Sequence, residues 1–280
     1  MYIQLANVDS KDKDRHIEII RDITEEEVSE LKSYFLPATQ YKYIKEIYSM
    51  GVSNGKELLD FLNSVYINDK FILDLTGSEI YLKGNRLLAN YCLFIGMFID
   101  YVEKALSKYG KEKVNHFQEY CSYLYDSEFE YRFIARLRNF IAHYSFPLSV
   151  YTNNYYGKKL EMSRKQLLGF KKWNTVKRDI EELSETIDFR AYITPMNVNL
   201  TALLLYIQHL LAPEVVKSLN KFTEFQQKNK VVSPAIIKFI DLEAFKRGDI
   251  KMEPIVLNPV FDFLKEIENN PKVNIKINYL

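Results

Sequence analysis

The sequence predicts a mainly α-helical protein, with small β elements supplied by its N- and C-terminal segments. Three observations predict it. Glycine and proline are sparse, at 9 and 8 copies in 280 residues, which disfavours a turn-rich β-sandwich or barrel. Hydrophobic residues make up 47%, ample material for a core. The centre of the chain repeats apolar residues at helical spacing over a long stretch.

Taken in order, residues 2–5 and 16–20 have weak strand character. Thr24-Glu25-Glu26-Glu27 is a capping box that opens a short helix ending before Pro37. A second helix is expected over residues 41–50, stopping at Gly51, and Ser53 would cap another near 56–66. Residues 71–75 and 79–82 read as short β-like runs. Residues 85–109 form one long helix closed by Gly110. Its apolar positions, Leu88, Tyr91, Cys92, Ile95 and Phe98 among them, cover most of the circumference, so it should be largely buried. Gly96 would let a neighbour approach closely. A shorter helix follows near residues 113–125.

Ser127-Glu128-Phe129-Glu130 reads as another capping box, opening a helix that Pro147 stops near Phe146. Residues 151–156 read as a tyrosine- and asparagine-rich loop. Ser163-x-x-Gln166 caps a helix leading into Trp173, and another helix covers 175–184. Pro195 starts a helix to Leu211, and Pro213 a further one to about Lys228. Residues 273–279 alternate apolar and polar, a strand signal, and would pair with an N-terminal strand. These readings divide the chain into a mixed α/β extension (1–75), a helical core (76–230) and a C-terminal extension ending in a strand (231–280).

Lys and Arg number 38 against 37 Asp and Glu, so the chain is not built to coat nucleic acid, and any such contact must come from a local patch. Cys92 and Cys121 sit in apolar helical patterns and read as buried thiols of a reducing compartment. No basic segment followed by an apolar stretch marks a signal peptide, and the apolar runs at 91–99 and 200–211 are too short to span a bilayer. The expectation is a soluble cytoplasmic protein.

One helix carries the chemistry. At about 100° per residue, Arg132, Arg136, Asn139 and His143 fall within an arc of roughly 60°. Phe133, Leu137, Phe140 and Ile134 occupy the other side. A solvated polar face is the plain reading of such a stripe. Two details favour a site: the stripe has no carboxylate after Glu130, and it ends in a histidine, the side chain that most readily exchanges protons near neutrality.

Arg138-Asn139-Phe140-Ile141-Ala142-His143 has the R-N-x-x-x-H form of the Arg-x4–6-His signature, and in this it resembles HEPN domains. A long buried helix, a shorter helix and then the motif helix also resemble the antiparallel HEPN bundle. The run from Tyr125 through Phe129, Arg132 and Asn139 to Pro147 looks like the motif region of a group of bacterial HEPN-like proteins. The likeness covers residues 85–147, and 163–187 more loosely. It implies a metal-independent RNA endonuclease without cofactor, acting as a homodimer with two motif helices facing each other across one cleft. It implies attack of a ribose 2′-OH on the adjacent phosphate, leaving 2′,3′-cyclic phosphate and 5′-hydroxyl ends. His143 would be general base or acid, Arg138 would stabilise the charge on the phosphoryl oxygens, and Asn139 would orient the imidazole or hold the phosphate. Arg138 lies about 140° around the helix from His143, whereas Arg136 shares its face, so Arg136 stands as the geometric alternative. A toxin or phage-defence role, with a cognate antitoxin or another regulatory partner, follows from the same resemblance.

Weaker signals surround this core. Lys158, Lys159, Arg164, Lys165, Lys171 and Lys172 make the following segment basic, and with Arg132 and the tyrosines at 151, 155 and 156 they would guide RNA by charge and stacking. Solvated helix faces are the plain alternative. Asp100 and Glu103 read as surface groups, with the alternative that one faces the motif helix and supports His143. His116 and Glu119 do not make a metal site, and His16 and His209 read as structural. Two further readings stay open: a catalytically silent HEPN-like bundle for dimerisation or for binding RNA or protein, and a helical regulator whose Arg/His stripe binds a nucleotide or other phosphate.

Overall fold

Helices dominate the fold, as the scarcity of glycine and proline predicts. The computed structural model describes residues 2–9, 16–155, 157–255 and 257–271. In chain order these are β1 (Tyr2–Asp9), β2 (His16–Asp22), α1 (Glu25–Ser33), α2 (Leu36–Tyr66), α3 (Lys70–Leu73), α4 (Gly77–Leu106), α5 (Lys111–Ser127) and α6 (Phe129–His143). There follow β3 (Leu148–Asn154), β4 (Gly157–Ser163), α7 (Arg164–Gly169), α8 (Val176–Glu181), β5 (Thr186–Ile187) and α9 (Arg190–Asn229). The described chain closes with β6 (Pro234–Phe239), α10 (Leu242–Lys246), β7 (Lys251–Pro254) and α11 (Asn258–Ile267).

The chain forms two compact units, one from Met1–Lys42 with Gln208–Leu280, the other from Tyr43–Ile207. The two terminal segments thus meet in one unit. Its four-stranded antiparallel sheet has the order β2-β1-β6-β7. Leu5 and Ile236 from the sheet, Val28 and Leu31 from α1 and Phe222 from α9 bury together as its core. Thr24 caps α1 as expected: its hydroxyl accepts from the Glu27 amide, and the Glu27 carboxylate accepts from the Thr24 amide. The expected strand at 273–279 lies outside the described residues; the partners β1 does have are β2 and β6.

The second unit packs α4, α5 and α6 against one another, with α8 against α6. A hairpin of β3 and β4, joined by β5, lies against α4. Asn85, only 2% exposed, ties the two together: its side chain accepts from the Leu148 amide and donates to the Leu148 and Tyr81 carbonyls. Trp173 is fully buried between Phe133, Phe140 and Phe170, and its indole N–H donates to the Leu167 carbonyl at 2.6 Å.

Several local expectations are corrected. The helix expected to stop at Gly51 runs unbroken as α2. One interior glycine costs about 1 kcal/mol, less than the burial of Ile44, Leu58, Phe61 and Leu62 returns. Residues 71–75 and 79–82 are not strands; the first run lies largely in α3, and the second opens α4 under a Thr76/Glu79 capping box. The Ser127 box does not form. Ser127 ends α5 and its hydroxyl donates to the Tyr123 carbonyl, so α6 begins from an extended Glu128 with no side-chain cap. That helix ends at His143, before Phe146. The stretch read as a loop after residue 150 is the β3–β4 hairpin, where Tyr151 and Thr152 suit a strand; Tyr156 lies outside the described residues.

Pro195 and Pro213 both lie inside α9. Proline costs a helix interior about 3 kcal/mol. Leu210, Leu211, Ala212 and Val215, all buried, hold the helix together around Pro213. One stretch of α9 is apolar enough by length and composition to cross a membrane, and 56% of it is buried inside the protein.

Candidate active site

The site begins with the way α6 is held. Tyr131, Phe133, Ile134, Leu137 and Phe140 bury one side of it. Its exit is fixed by α7: Gln166 donates from Nε2 to the Ser145 hydroxyl at 3.1 Å and to the Phe146 carbonyl at 3.4 Å. Tyr144 lays its hydroxyl where a Cβ on Gly169 would stand, so a side chain there would have to displace the tyrosine. These contacts leave His143, the last residue of α6, exposed at the end of the polar stripe.

The four stripe residues share an arc but not an occupation. Arg132 is a brace: its guanidinium donates from Nε to Asp179 Oδ2 at 2.8 Å and from Nη2 to Oδ1 at 3.3 Å, tying α6 to α8. That bond raises its pKa further above the ordinary arginine value. Arg136 donates from Nε to the Tyr125 hydroxyl at 2.9 Å and lies over the same ring. Asn139 is half-buried and sits one turn before His143.

Arg138 takes the other direction, as its angular position requires. Its guanidinium rests on Gly96 of α4, where any Cβ would collide with it, and Nη2 donates to Asp100 Oδ2 at 3.3 Å. The close approach expected at Gly96 is therefore made by Arg138. Asp100 does face the motif helix, but it pairs with Arg138 and not with His143. On the helical wheel Tyr131, Ala135 and Ala142 lie between Arg138 and the Asn139/His143 stripe; Tyr131 is buried and Ala142 is exposed.

The basic segment divides. Arg164 spends its guanidinium on the carbonyls of Glu181 and Leu183 at the end of α8, and Lys158 donates to the Ile72 carbonyl. Lys159 is exposed beside the Tyr66 ring, and Lys165, Lys171 and Lys172 are exposed. Tyr151 packs on Gly77, while Tyr155 is 99% exposed. The side chains left exposed toward a polyanion are therefore Lys159, Lys165, Lys171 and Lys172. Sequence reasoning missed the partners Asp179 and Tyr125, because nothing in local spacing reveals which element an exposed arginine will meet. Among the described residues no group of three or more His, Cys, Asp or Glu is placed to hold a metal ion.

No family model matches the chain, and no curated protein or solved structure matches it.

Proposed function

We propose that this chain is a HEPN-type RNA endonuclease of the cytoplasm, working as a homodimer with α6 at the interface and needing no metal. The observation that carries the reading is the exposed His143 at the end of α6. Asn139 lies one turn before it, and Arg138 lies about 140° around the same helix, its guanidinium held by Asp100. The mainly helical unit of α4, α5 and α6 supports a HEPN-like bundle. Exposed Leu93 and Met97 of α4, beside Gly96 under Arg138, offer apolar area for a second copy.

In this mechanism His143 takes the proton from a ribose 2′-OH while that oxygen attacks the adjacent phosphorus. The bond from phosphorus to the 5′-oxygen breaks, and the imidazole of the second copy gives that oxygen a proton. The products are a 2′,3′-cyclic phosphate and a 5′-hydroxyl. Arg138 stabilises the negative phosphoryl oxygens. To do so it leaves Asp100, at little cost: the two side chains are 40% and 65% exposed, and such pairs contribute about 0–1 kcal/mol. The exposed lysines beyond β4 hold the flanking strand, and a restraining partner such as an antitoxin would cover α6.

A second reading has one observation in its favour: Arg136 and Arg138 both already have partners within the protein, as in a bundle used only for assembly. Incubating mixed RNA with the protein in EDTA decides between them. Wild type is expected to cut, and His143→Ala to lose about 100-fold or more of the rate. Equal cutting by the variant, or no cutting of any RNA by wild type, contradicts the nuclease.

A further inference from the structure

A cavity of about 290 Å³ opens between α4, α5 and α6. Apart from Arg138, the residues lining it have no part in RNA cleavage. Most of its lining is apolar, with Ile95 and Ile99 from α4, Ala135 from α6 and Met196 from α9. Cys121 and Tyr131 line it as neutral groups: burial pushes the thiol up to about 11 and raises the phenol further. Small-molecule sites have this character, an apolar pocket with a few convergent polar groups.

The polar groups here are unusual in carrying both signs. Arg138 and Asp100 both line the cavity, joined by one 3.3 Å bond, and both reach solvent. A plain anion would satisfy Arg138 but lie against the Asp100 carboxylate. A plain cation would do the reverse. A zwitterion satisfies both, with its carboxylate accepting from the guanidinium and its ammonium donating to Asp100. We propose that this cavity binds an α-amino acid with a bulky apolar side chain, the side chain entering between Ile95, Ile99 and Met196. The volume lies at the lower end of the range for ligand pockets, roughly 300–1,000 Å³, and so suits one such molecule. The inference goes beyond RNA cleavage and does not rest on it.

Titration calorimetry on the full chain, with no RNA present, tests the proposal. The probes are L-phenylalanine, L-leucine, phenethylamine and 3-phenylpropanoate. L-Phenylalanine is expected to bind saturably and about tenfold or more tighter than either single-charge analogue, since each lost partner leaves a charged group unpaired. Ala135→Phe, which fills the cavity, is expected to abolish binding with an unchanged circular dichroism spectrum. Asp100→Asn, at an exposed position of α4, is expected to keep the wild-type circular dichroism spectrum and to erase the preference for phenylalanine over 3-phenylpropanoate. No saturable heat from either amino acid, equal binding of the acid by wild type, or an unaltered preference in Asp100→Asn would overturn it. A nuclease that binds no amino acid, or a binder that cuts no RNA, separates this proposal from the one before it.

Discussion

Three arginines within seven residues of α6 show how position decides a side chain's work. Arg132 and Arg136 lie on the stripe with His143, yet both are occupied, one by Asp179 and the other by Tyr125. Arg138 lies off the stripe and rests against Asp100 across a glycine. The motif spacing was legible in the sequence, and so was the angular conflict between Arg138 and His143. The partners were not, because each belongs to another helix. The cysteines were legible in part: Cys92 is buried as expected, whereas Cys121 is only half-buried. Burial pushes the Cys121 thiol up to about 11, so at neutral pH the thiolate is scarce and alkylation slow. Iodoacetamide is therefore expected to label Cys121 of the native protein far more slowly than the urea-unfolded chain, as read by peptide mass; equal rates would show an open thiol.

Helix starts were read correctly at Thr24 and Ser163, overlooked at Thr76 and misplaced at Ser127, Pro195 and Pro213, and the stop read at Gly51 does not occur. Thr24 opens α1 as its pattern predicts, whereas Gly51, Pro195 and Pro213 fail to break α2 and α9. A local breaker costs a few kcal/mol at most, and a long buried face outweighs it. The Ser127 pattern failed for a different reason: α5 extends through Ser127 and occupies the hydroxyl. The start of α1 also sets a pH dependence. Arg21 binds the Glu27 carboxylate at 2.8 Å, and this bond, aided by the Thr24 amide, holds Glu27 below the usual carboxylate value of 4.5. Its folded pKa is depressed, so the stabilisation is full above the unfolded value and is lost as pH falls through the folded one. The pair is more than a third exposed, so solvent screens the effect. In Arg21→Met the urea midpoint is expected to fall at neutral pH and converge on wild type in acid. A constant gap across that range would assign the loss to packing alone.

At the scale of the whole chain, the sequence disclosed a mainly helical protein and the two N-terminal strands, but neither β6 and β7 nor their pairing with β1. Strand β1 joins β6 across more than two hundred residues, with Leu5 opposite Ile236, and no local pattern names so distant a partner. The near-balance of 38 basic and 37 acidic residues leaves any RNA contact to local groups: His143, Arg138 and a few exposed lysines. A dimer that joins two α6 helices would bring two imidazoles to one phosphodiester, and the chemistry of the cut ends reports whether it does. The most direct measurement is therefore end-group analysis of RNA cut by the wild-type protein in the presence of chelator, by mass spectrometry and phosphorus NMR. A 2′,3′-cyclic phosphate with a 5′-hydroxyl, absent when His143→Ala replaces wild type, is the predicted result. A 5′-phosphate with a 3′-hydroxyl, or the same ends at the same rate from the variant, would contradict it.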